Sequence, residues 1–295
     1  MSVSTKIEWC KNPDGSPGEV WNPVVGCMPV SAGCANCYAR ALHNKRYQAY
    51  WKGAKLPSQY AFPFHTIQMM NNRLDAPLHW KKPRRVFVNS MSDLFHPDVE
   101  SDFVLRVLSV IKLAERHTFI VLTKRPKPMR DLLRSIHWLP SNMWIGVSVE
   151  NQAAADDRIP LLLETPAAVR FVSCEPMLEE IDIRDALRGY PVQTSRPFII
   201  SREMALDAGD PSVEGMIWGT NEWEQTCPPL NWVICGCESG TSARPFDMDW
   251  ARSLRDQCQD ARVPLFLKQG RIDGRLVKMP ELDGRVWDQY PEEPK

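Results

Sequence analysis

Residues 118–149 contain two short apolar runs, TFIVLT (118–123) and MWIGVSV (143–149), separated by the amphipathic stretch KRPKPMRDLLRSIHWLPSN (124–142). Short runs of β-branched and aromatic residues are typical of buried strands, and the apolar spacing within 127–138 indicates a helix. A strand, a helix and a strand in this order form a parallel pair joined by a crossover. The stretch therefore predicts an α/β fold built on a parallel sheet.

The same alternation continues on both sides of this stretch. Further strand-like runs lie at 86–89, 168–173, 231–236 and 264–268. Further helix-like segments lie at 35–51, 102–117, 151–165 and 247–262. Six strands, with a seventh hidden within 1–30, predict an incomplete βα barrel. A doubly wound open sheet is the alternative that hydrophobic periodicity leaves open.

The length of the chain would allow two domains, but a single α/β barrel of about 250 residues fits as well, and we expect one domain, residues 1–295. Residues 184–230 break the strand–helix rhythm, and unstructured connections of this length are unusual in compact domains. We therefore expect 184–230 to be an insertion or a lid. Residues 270–295 follow the last strand-like run and are expected to form a C-terminal extension.

The charge balance limits the possible functions. The chain has 36 Lys and Arg residues against 36 Asp and Glu residues, so its formal net charge is zero. This balance excludes a protein that binds nucleic acid by bulk positive charge, and it leaves room for local basic patches. No apolar run is long enough for a membrane span, and the N-terminus lacks the apolar core of a signal peptide. We therefore expect a cytoplasmic protein with no membrane partner.

The cysteines are unevenly distributed. Three of the nine, Cys27, Cys34 and Cys37, fall within eleven residues, and the other six are scattered. In a reducing cytoplasm such a cluster points to metal rather than to disulfides. Three thiolates can hold three irons of a four-iron cluster and leave the fourth iron open for a ligand. They can equally be three of four zinc ligands, with Cys10 or His43 as the fourth.

Polar residues follow almost every strand-like run. In parallel α/β folds these carboxyl ends meet at one edge, where ligands bind. We therefore expect one polar site there. Its candidate residues are Ser92, Asp93, Lys124, Arg125, Ser148, Glu150, Glu175, Glu238 and Lys268.

Motifs along nearly the whole chain resemble a phage-associated family with a three-cysteine motif, whose members are regarded as divergent radical S-adenosylmethionine (SAM) proteins. They include KIEW (6–9), WNPVVGCMPVSAGCANCYA (21–39), SDLFH (92–96), RFVSCEPM (170–177), CGCESG (235–240) and LDGRVWDQYP (282–291). The resemblance implies a partial βα barrel of the radical SAM type, in which Cys27, Cys34 and Cys37 bind a 4Fe-4S cluster and SAM chelates the open iron.

If SAM is bound, its charged and polar groups need partners, which gives expected roles to the polar residues. For SAM these are adenine stacking by Tyr38, amino-group contacts by Ser92 and Asp93, a carboxylate contact by Lys124, and ribose contacts by Ser148 and Glu150. Arg125, Glu175, Glu238 and Lys268 are the expected substrate-binding residues. An external electron donor is implied as a partner. The resemblance does not identify a catalytic side chain or an oligomeric state.

The family resemblance links the chain to hypermodification of thymidine in phage DNA. The implied reaction rearranges an amino acid from a nitrogen-linked to a carbon-linked form on the thymine methyl carbon, in the cytoplasm of an infected bacterium. The expected DNA contacts are the basic turns 81–85 and 124–130, and the base would be flipped out of the duplex. The alternatives are a radical SAM enzyme for a peptide or nucleotide, and a non-catalytic zinc-stabilised nucleic-acid-binding protein.

Overall fold

A nine-stranded, mostly parallel sheet organises the molecule. The computed structural model describes residues 3–189, 191–200, 217–226 and 229–292. The sheet has the strand order β1-β2-β5-β6-β7-β8-β11-β12-β13. Its strands are β1 (Val3–Ser4), β2 (Glu19–Trp21), β5 (Arg85–Val88), β6 (Thr118–Thr123), β7 (Met143–Ser148), β8 (Val169–Cys174), β11 (Trp232–Gly236), β12 (Leu265–Ile272) and β13 (Arg275–Lys278).

The strands from β2 to β12 run parallel, and only the edge strands β1 and β13 pair antiparallel within this sheet. The six strands predicted from apolar runs are all present, and β2 is the strand expected within 1–30. The α/β fold with a parallel sheet is therefore confirmed.

Six α-helices accompany the strands in the described part of the chain, and five of them cover one face of the sheet. They are α1 (Tyr38–Trp51), α2 (Ser101–Leu113), α3 (Pro126–Ser135), α4 (Gln152–Leu163), α5 (Arg184–Arg188) and α6 (Met248–Ala261). Buried residues of α2 to α6 pack into one large cluster with alternate strand residues such as Val86, Val121 and Val172. None of these helices contributes to the cluster on the opposite face. A doubly wound sheet, with helices on both faces, is therefore excluded for the described helices.

The sheet is strongly curled, as the contacts of Trp9 show. The Trp9 ring lies 4.8 Å from the ring of Phe87 on β5 and 6.4 Å from that of Trp232 on β11. These two strands are four positions apart in the sheet. A flat sheet would separate them by about 19 Å, at roughly 4.8 Å per strand. The sheet therefore wraps around Trp9 as a partial barrel, and the described strands do not close it.

Aromatic side chains fill the inside of the curl. Trp144, Phe171 and Phe266 pack against Trp232. Space for this packing comes partly from Gly146, because a Cβ atom there would lie 2.5 Å from the Phe171 ring. Filling the interior with side chains makes it a core rather than a channel.

Smaller elements border the sheet. Strand β3 (Val24–Val25) pairs with β4 (Gln68–Met69), and β14 (Glu281–Leu282) pairs with β15 (Arg285–Val286). In the expected C-terminal extension, β13 joins the sheet, and the backbone at Trp287 and Gln289 hydrogen-bonds to β12. The tail thus covers an otherwise open sheet edge.

The region expected to be an insertion contains α5 and an antiparallel hairpin. The hairpin strands are β9 (Pro191–Ile200) and β10 (Ile217–Thr226), which pair with each other outside the main sheet. Residues 190, 201–216 and 227–228 of this region lie outside the described residues. Its function as a lid stays a prediction. Separately, no helix in the described ranges has both the length and the apolar character needed to cross a bilayer.

Candidate functional site

A cavity of about 510 Å³ opens at the carboxyl ends of the parallel strands. Such a volume lies within the range of small-molecule binding sites, about 300–1,000 Å³. Twelve of the thirteen residues expected to bind the cluster, SAM or the substrate line it. These are Cys27, Cys34, Cys37, Tyr38, Ser92, Asp93, Lys124, Arg125, Ser148, Glu175, Glu238 and Lys268. The thirteenth, Glu150, lies directly behind the cysteine-bearing loop.

The three clustered cysteines occupy one loop, residues 26–37, between β3 and α1. Cys34 ends a short 3₁₀ helix (Ala32–Cys34), and Cys37 immediately precedes the first turn of α1. All three thiols are free and half-buried. Within the described ranges, no three His, Cys, Asp or Glu side chains stand close enough to form a metal site as they are. The three thiols thus line the same cavity without already being close enough to hold one metal ion.

Cys27 is held by an ion pair at the end of β6. Arg125 donates to Asp93, with 2.9 Å between Nη1 and Oδ2, and the same nitrogen lies 3.8 Å from the Cys27 Sγ atom. Its second terminal nitrogen donates to the Met28 carbonyl at 2.9 Å. Asp93 also accepts from the Thr123 hydroxyl at 2.7 Å. Arg125 and Asp93 therefore fix the start of the cysteine loop.

Glu150 holds the middle of the same loop. The Glu150 carboxylate is buried and forms a two-point pair with Arg158, at 2.9 and 3.3 Å. It also accepts from the Gly33 backbone N–H at 3.4 Å. A Cβ atom at position 33 would lie 3.0 Å from the Glu150 side chain, so glycine permits this approach. Burial opposes ionisation, but the hydrogen bond from Ser31 and nearby cations hold the pKa of Glu150 below its ordinary value.

Glu238 holds the end of the loop. It accepts from the Asn36 side chain at 2.9 Å and from the Arg244 backbone N–H at 2.7 Å. The Arg244 guanidinium also pairs with it. Burial alone would raise the pKa of Glu238, but these hydrogen bonds hold it below the ordinary glutamate value. Residues after three different strands, β6, β7 and β11, thus anchor one loop.

A charged pair occupies another part of the cavity wall. The Lys268 ammonium lies 2.8 Å from Oε1 of Glu175, and both side chains are largely buried. The second oxygen, Oε2, accepts from the Trp9 indole N–H at 3.2 Å. Burial lowers the pKa of Lys268, but the carboxylate of Glu175 outweighs it and raises the net value. Both charges face the cavity.

The predicted SAM residues occupy different positions around the opening. The Tyr38 hydroxyl donates to the Ser90 carbonyl at 2.7 Å, and the Ser92 hydroxyl donates to the Val24 carbonyl at 2.8 Å. Ser148 is buried at the end of β7. The Lys124 ammonium lines the cavity and lies close enough to Glu150 to help lower the pKa of that carboxyl. Their contacts with SAM stay predictions.

The two residues expected as alternative fourth zinc ligands lie outside the cavity. Cys10 is fully buried, its thiol contacts the carbonyls of Glu19 and Arg85, and burial raises its pKa to about 12. His43 is also fully buried and its Nε2 atom lies 2.9 Å from the Phe62 carbonyl. Neither lines the cavity. Of the other described cysteines, Cys237 lines the cavity, and Cys174, Cys235 and Cys258 are buried in the core.

Several residues of the site were not singled out from the sequence. Asn36, Arg158 and Arg244 complete the loop anchors, and Trp9 supports Glu175. The two arginines lie near their partners in the sequence, since Arg158 follows Glu150 by eight residues and Arg244 follows Glu238 by six. That nearness is the one weak indication of these pairs in the sequence. Asn36 and Trp9 reach partners more than 150 residues away, so no local pattern reveals their contacts.

A family model whose description reads "Protein of unknown function (DUF5131)" matches residues 4–291. The chain belongs to this family. The DUF5131 chain is also similar to a solved structure of a mutant spore photoproduct lyase, with a TM-score of 0.44 and 10% sequence identity. That alignment covers 88% of this chain and 75% of the other. No curated protein matches the DUF5131 chain.

Proposed function

We propose that this DUF5131 chain is a radical SAM enzyme whose 4Fe-4S cluster is held by Cys27, Cys34 and Cys37. The observation that supports the proposal most is that one anchored loop carries three free thiols along the wall of a cavity of about 510 Å³. The cavity lies at the carboxyl ends of a curled parallel sheet, the edge at which such folds bind ligands.

The donor set fits a cluster better than a zinc ion. Structural zinc takes four protein ligands, and both candidate fourth ligands, Cys10 and His43, are buried away from the cavity. A four-iron cluster with three thiolates needs no fourth protein ligand. Burial and the charge of Asp93 raise the pKa of Cys27, and the Arg125 guanidinium beside it opposes them. That guanidinium would stabilise the thiolate form that binds iron.

When bound, the cluster and SAM supply the radical that removes a hydrogen atom from the substrate. The protein positions the substrate and excludes solvent. The Lys124 ammonium lines the cavity, where it would bind the SAM carboxylate, and Tyr38 and Ser148 line the same space. Asp93 already accepts four hydrogen bonds, and Glu150 lies behind the cysteine loop, so a contact of either carboxylate with SAM requires these bonds to rearrange.

We assign substrate binding to Glu175 and Lys268. Arg125 and Glu238 anchor the loop, whereas the Glu175–Lys268 pair faces the cavity with both charges. Such a pair complements a group that carries an amine and a carboxylate close together. An amino acid joined through nitrogen to the thymine methyl carbon is such a group. With the motif resemblance to phage thymidine-modifying proteins, this complementarity supports an isomerase acting on modified thymidine in DNA.

Anaerobic purification tests the enzyme class. We expect a brown protein that contains iron and sulfide and forms 5′-deoxyadenosine from SAM under reduction, measured by liquid chromatography and mass spectrometry. A colourless protein with one stoichiometric zinc ion and no 5′-deoxyadenosine would refute the proposal.

Nucleoside mass spectrometry tests the substrate. DNA that carries an amino acid on the thymine methyl group is incubated with the reduced enzyme and SAM, and its nucleosides are then separated. We expect an isomer of unchanged mass and altered retention. If 5′-deoxyadenosine forms but no thymidine derivative changes, the enzyme class stands and the substrate is of another kind, such as a peptide or a free nucleotide.

A further inference from the structure

Helix α1 and the segments around it carry only positively charged side chains, although the chain as a whole has no net charge. Between Glu19 and Asp75 there is no acidic residue, whereas there are six Lys and Arg residues. Five of these lie on α1 or just after it, namely Arg40, Lys45, Arg46, Lys52 and Lys55. None of the five forms an ion pair with a carboxylate of the described residues. Their positive charge therefore stays uncompensated near the cysteine loop.

The same helix exposes aromatic and apolar surface. Trp51 is 65% exposed and Tyr38 54% exposed, and the rings of Tyr47 and Tyr50 lie 6.5 and 5.8 Å from that of Trp51. Only Ala39 and His43 of α1 are buried. Exposed aromatic groups interleaved with cations are typical of surfaces that stack nucleic-acid bases and neutralise phosphates.

The geometry connects this face to the cavity. Tyr38, Leu42 and Lys45 recur at helical spacing, so they form one stripe along α1, and Lys52 follows directly after the last residue of the helix. The stripe begins at Tyr38, which lines the cavity. The 14 residues of the helix span about 21 Å, or about six base-pair steps of a nucleic-acid strand.

The basic turns expected to bind DNA have fewer free cations. The Arg85 guanidinium is buried 4.2 Å from the centre of the Tyr290 ring, and Arg84 pairs with Glu19. In the second turn, Arg125 pairs with Asp93, and Arg130 pairs with Asp131 and Glu164. The exposed lysines Lys81, Lys82 and Lys127 remain in these turns.

We propose that the outer face of α1 binds the nucleic-acid strand whose base enters the cavity. This inference deepens the DNA part of the proposed function. Lys45 and Lys52 contact phosphates, Trp51 stacks on a base, and Tyr38 marks the point at which the strand meets the cavity. The uncompensated positive charge, the exposed rings and the shared residue Tyr38 together favour nucleic acid over an acidic protein as the occupant.

Fluorescence anisotropy with a fluorescein-labelled, thymine-rich oligonucleotide, single-stranded and as a duplex, tests this surface. We expect K45E/K52E to weaken binding by more than about tenfold at low salt and to reduce the slope of log affinity against log salt by about two. Trp51→Ala should weaken single-strand binding by about tenfold, because it removes an aromatic ring on which a base would stack. The matched control K81E/K82E makes the same charge change in a basic turn and should alter affinity less than about threefold.

The binding measurements separate α1 as a DNA-binding surface from α1 as a protein-binding surface and from DNA binding at the basic turns. Equal or greater loss in K81E/K82E, or binding of an acidic electron-transfer protein at α1 with no DNA binding, would overturn the inference. Iron content and 5′-deoxyadenosine formation are measured in parallel on the same wild-type preparation. If only the α1 variants lose DNA binding, the result supports α1 as the DNA-binding surface. If the wild-type protein in the same experiment contains no iron, the proposed enzyme class is refuted while the DNA-binding surface stands.

Discussion

At the scale of single residues, the acidic groups around the cavity divide into two sets. Asp93, Glu150 and Glu238 each accept several hydrogen bonds from the cysteine loop or its supports. Glu175 instead pairs with Lys268 across the cavity wall. Similar residue types at similar strand ends therefore differ in their contacts: three support the cysteine loop, and one pairs with a lysine in the cavity wall, where we propose that it binds the substrate.

Cysteine substitutions distinguish cluster ligands from packed thiols. Cys34→Ala and Cys37→Ala should each abolish bound iron and SAM cleavage, because each removes one of three thiolates. Cys258→Ala serves as the control, since its buried thiol packs in the core and should leave the iron content unchanged. Iron is measured after anaerobic reconstitution. Loss of metal in Cys10→Ala would instead indicate a four-ligand site.

Glu150→Gln should loosen the cysteine loop. The change leaves the buried Arg158 guanidinium without its carboxylate, and breaking a buried pair typically costs about 3–5 kcal/mol. We expect faster hydrogen exchange at residues 31–36 and lower iron content. Glu164→Gln is the control, because Glu164 pairs with Arg130 at a more exposed position. Unchanged exchange at 31–36 in Glu150→Gln would contradict the anchoring role.

At the scale of elements, each strand places one kind of residue on each face of the sheet. On β5, Val86 and Val88 face the helices while Phe87 faces the interior of the curl. The interior is packed so closely that β7 has glycine at position 146. The layer of helices on one face and the aromatic interior on the other therefore both pack against the same strands, so a change in one face affects the packing of the other.

Gly146→Ala should destabilise the protein by about 1–3 kcal/mol, because the new methyl group would overlap the Phe171 ring. The free energy of unfolding in urea measures the effect. Gly240→Ala is a suitable control, since its nearest neighbour would lie 3.9 Å from the added Cβ atom. Equal stability of the two variants would show that the interior relaxes freely.

His117 should make stability depend on pH. Burial lowers the pKa of this ring, whose Nε2 atom lies 3.2 Å from the Pro77 carbonyl. The unfolded chain therefore takes up a proton first as the pH falls. The stabilisation from the neutral ring is present above about pH 6.5, the ordinary pKa of histidine. It is lost as the pH drops towards and through the lower pKa that His117 has in the folded state.

Urea unfolding at neutral and mildly acidic pH measures this dependence. The loss of stability on acidification should shrink in His117→Gln, which keeps a donor for the carbonyl but does not titrate. His79→Gln is the control, because His79 is exposed. An undiminished pH dependence in His117→Gln would assign the effect to other groups.

The strands were predictable because their signal is local. TFIVLT and MWIGVSV contain enough β-branched and aromatic residues to predict β6 and β7 directly. The site's location was also predictable, since carboxyl ends of parallel strands share one edge. The loop anchors were not, because Asn36 and Glu238 are 202 residues apart in the chain. Only the curled sheet brings such residues together.

At the scale of the whole molecule, an N-terminal segment completes the core. Trp9 contacts rings on β5 and β11 and hydrogen-bonds to Glu175. One residue thus joins both sides of the sheet and supports the charged pair in the cavity. The two ends of the chain also meet, since the Tyr290 hydroxyl donates to the Glu8 carbonyl.

Trp9→Ala should destabilise the whole fold by about 3–5 kcal/mol, the usual cost of removing a buried tryptophan from a core. Thermal unfolding followed by circular dichroism reports the change. Trp51→Ala removes an exposed indole and should alter stability by less than about 0.5 kcal/mol. Similar melting temperatures for Trp9→Ala and the wild type would contradict a central role for Trp9.

The three anchors of the cysteine loop also set an order of assembly. Arg125, Glu150 and Glu238 follow different strands, so they converge on the loop only after the sheet has formed. Their hydrogen bonds stabilise the loop without any metal, unlike the ligands of a zinc finger, which fold only when the ion binds. The proposed cluster would therefore be loaded into an already folded polypeptide, and its removal and restoration should not unfold the chain.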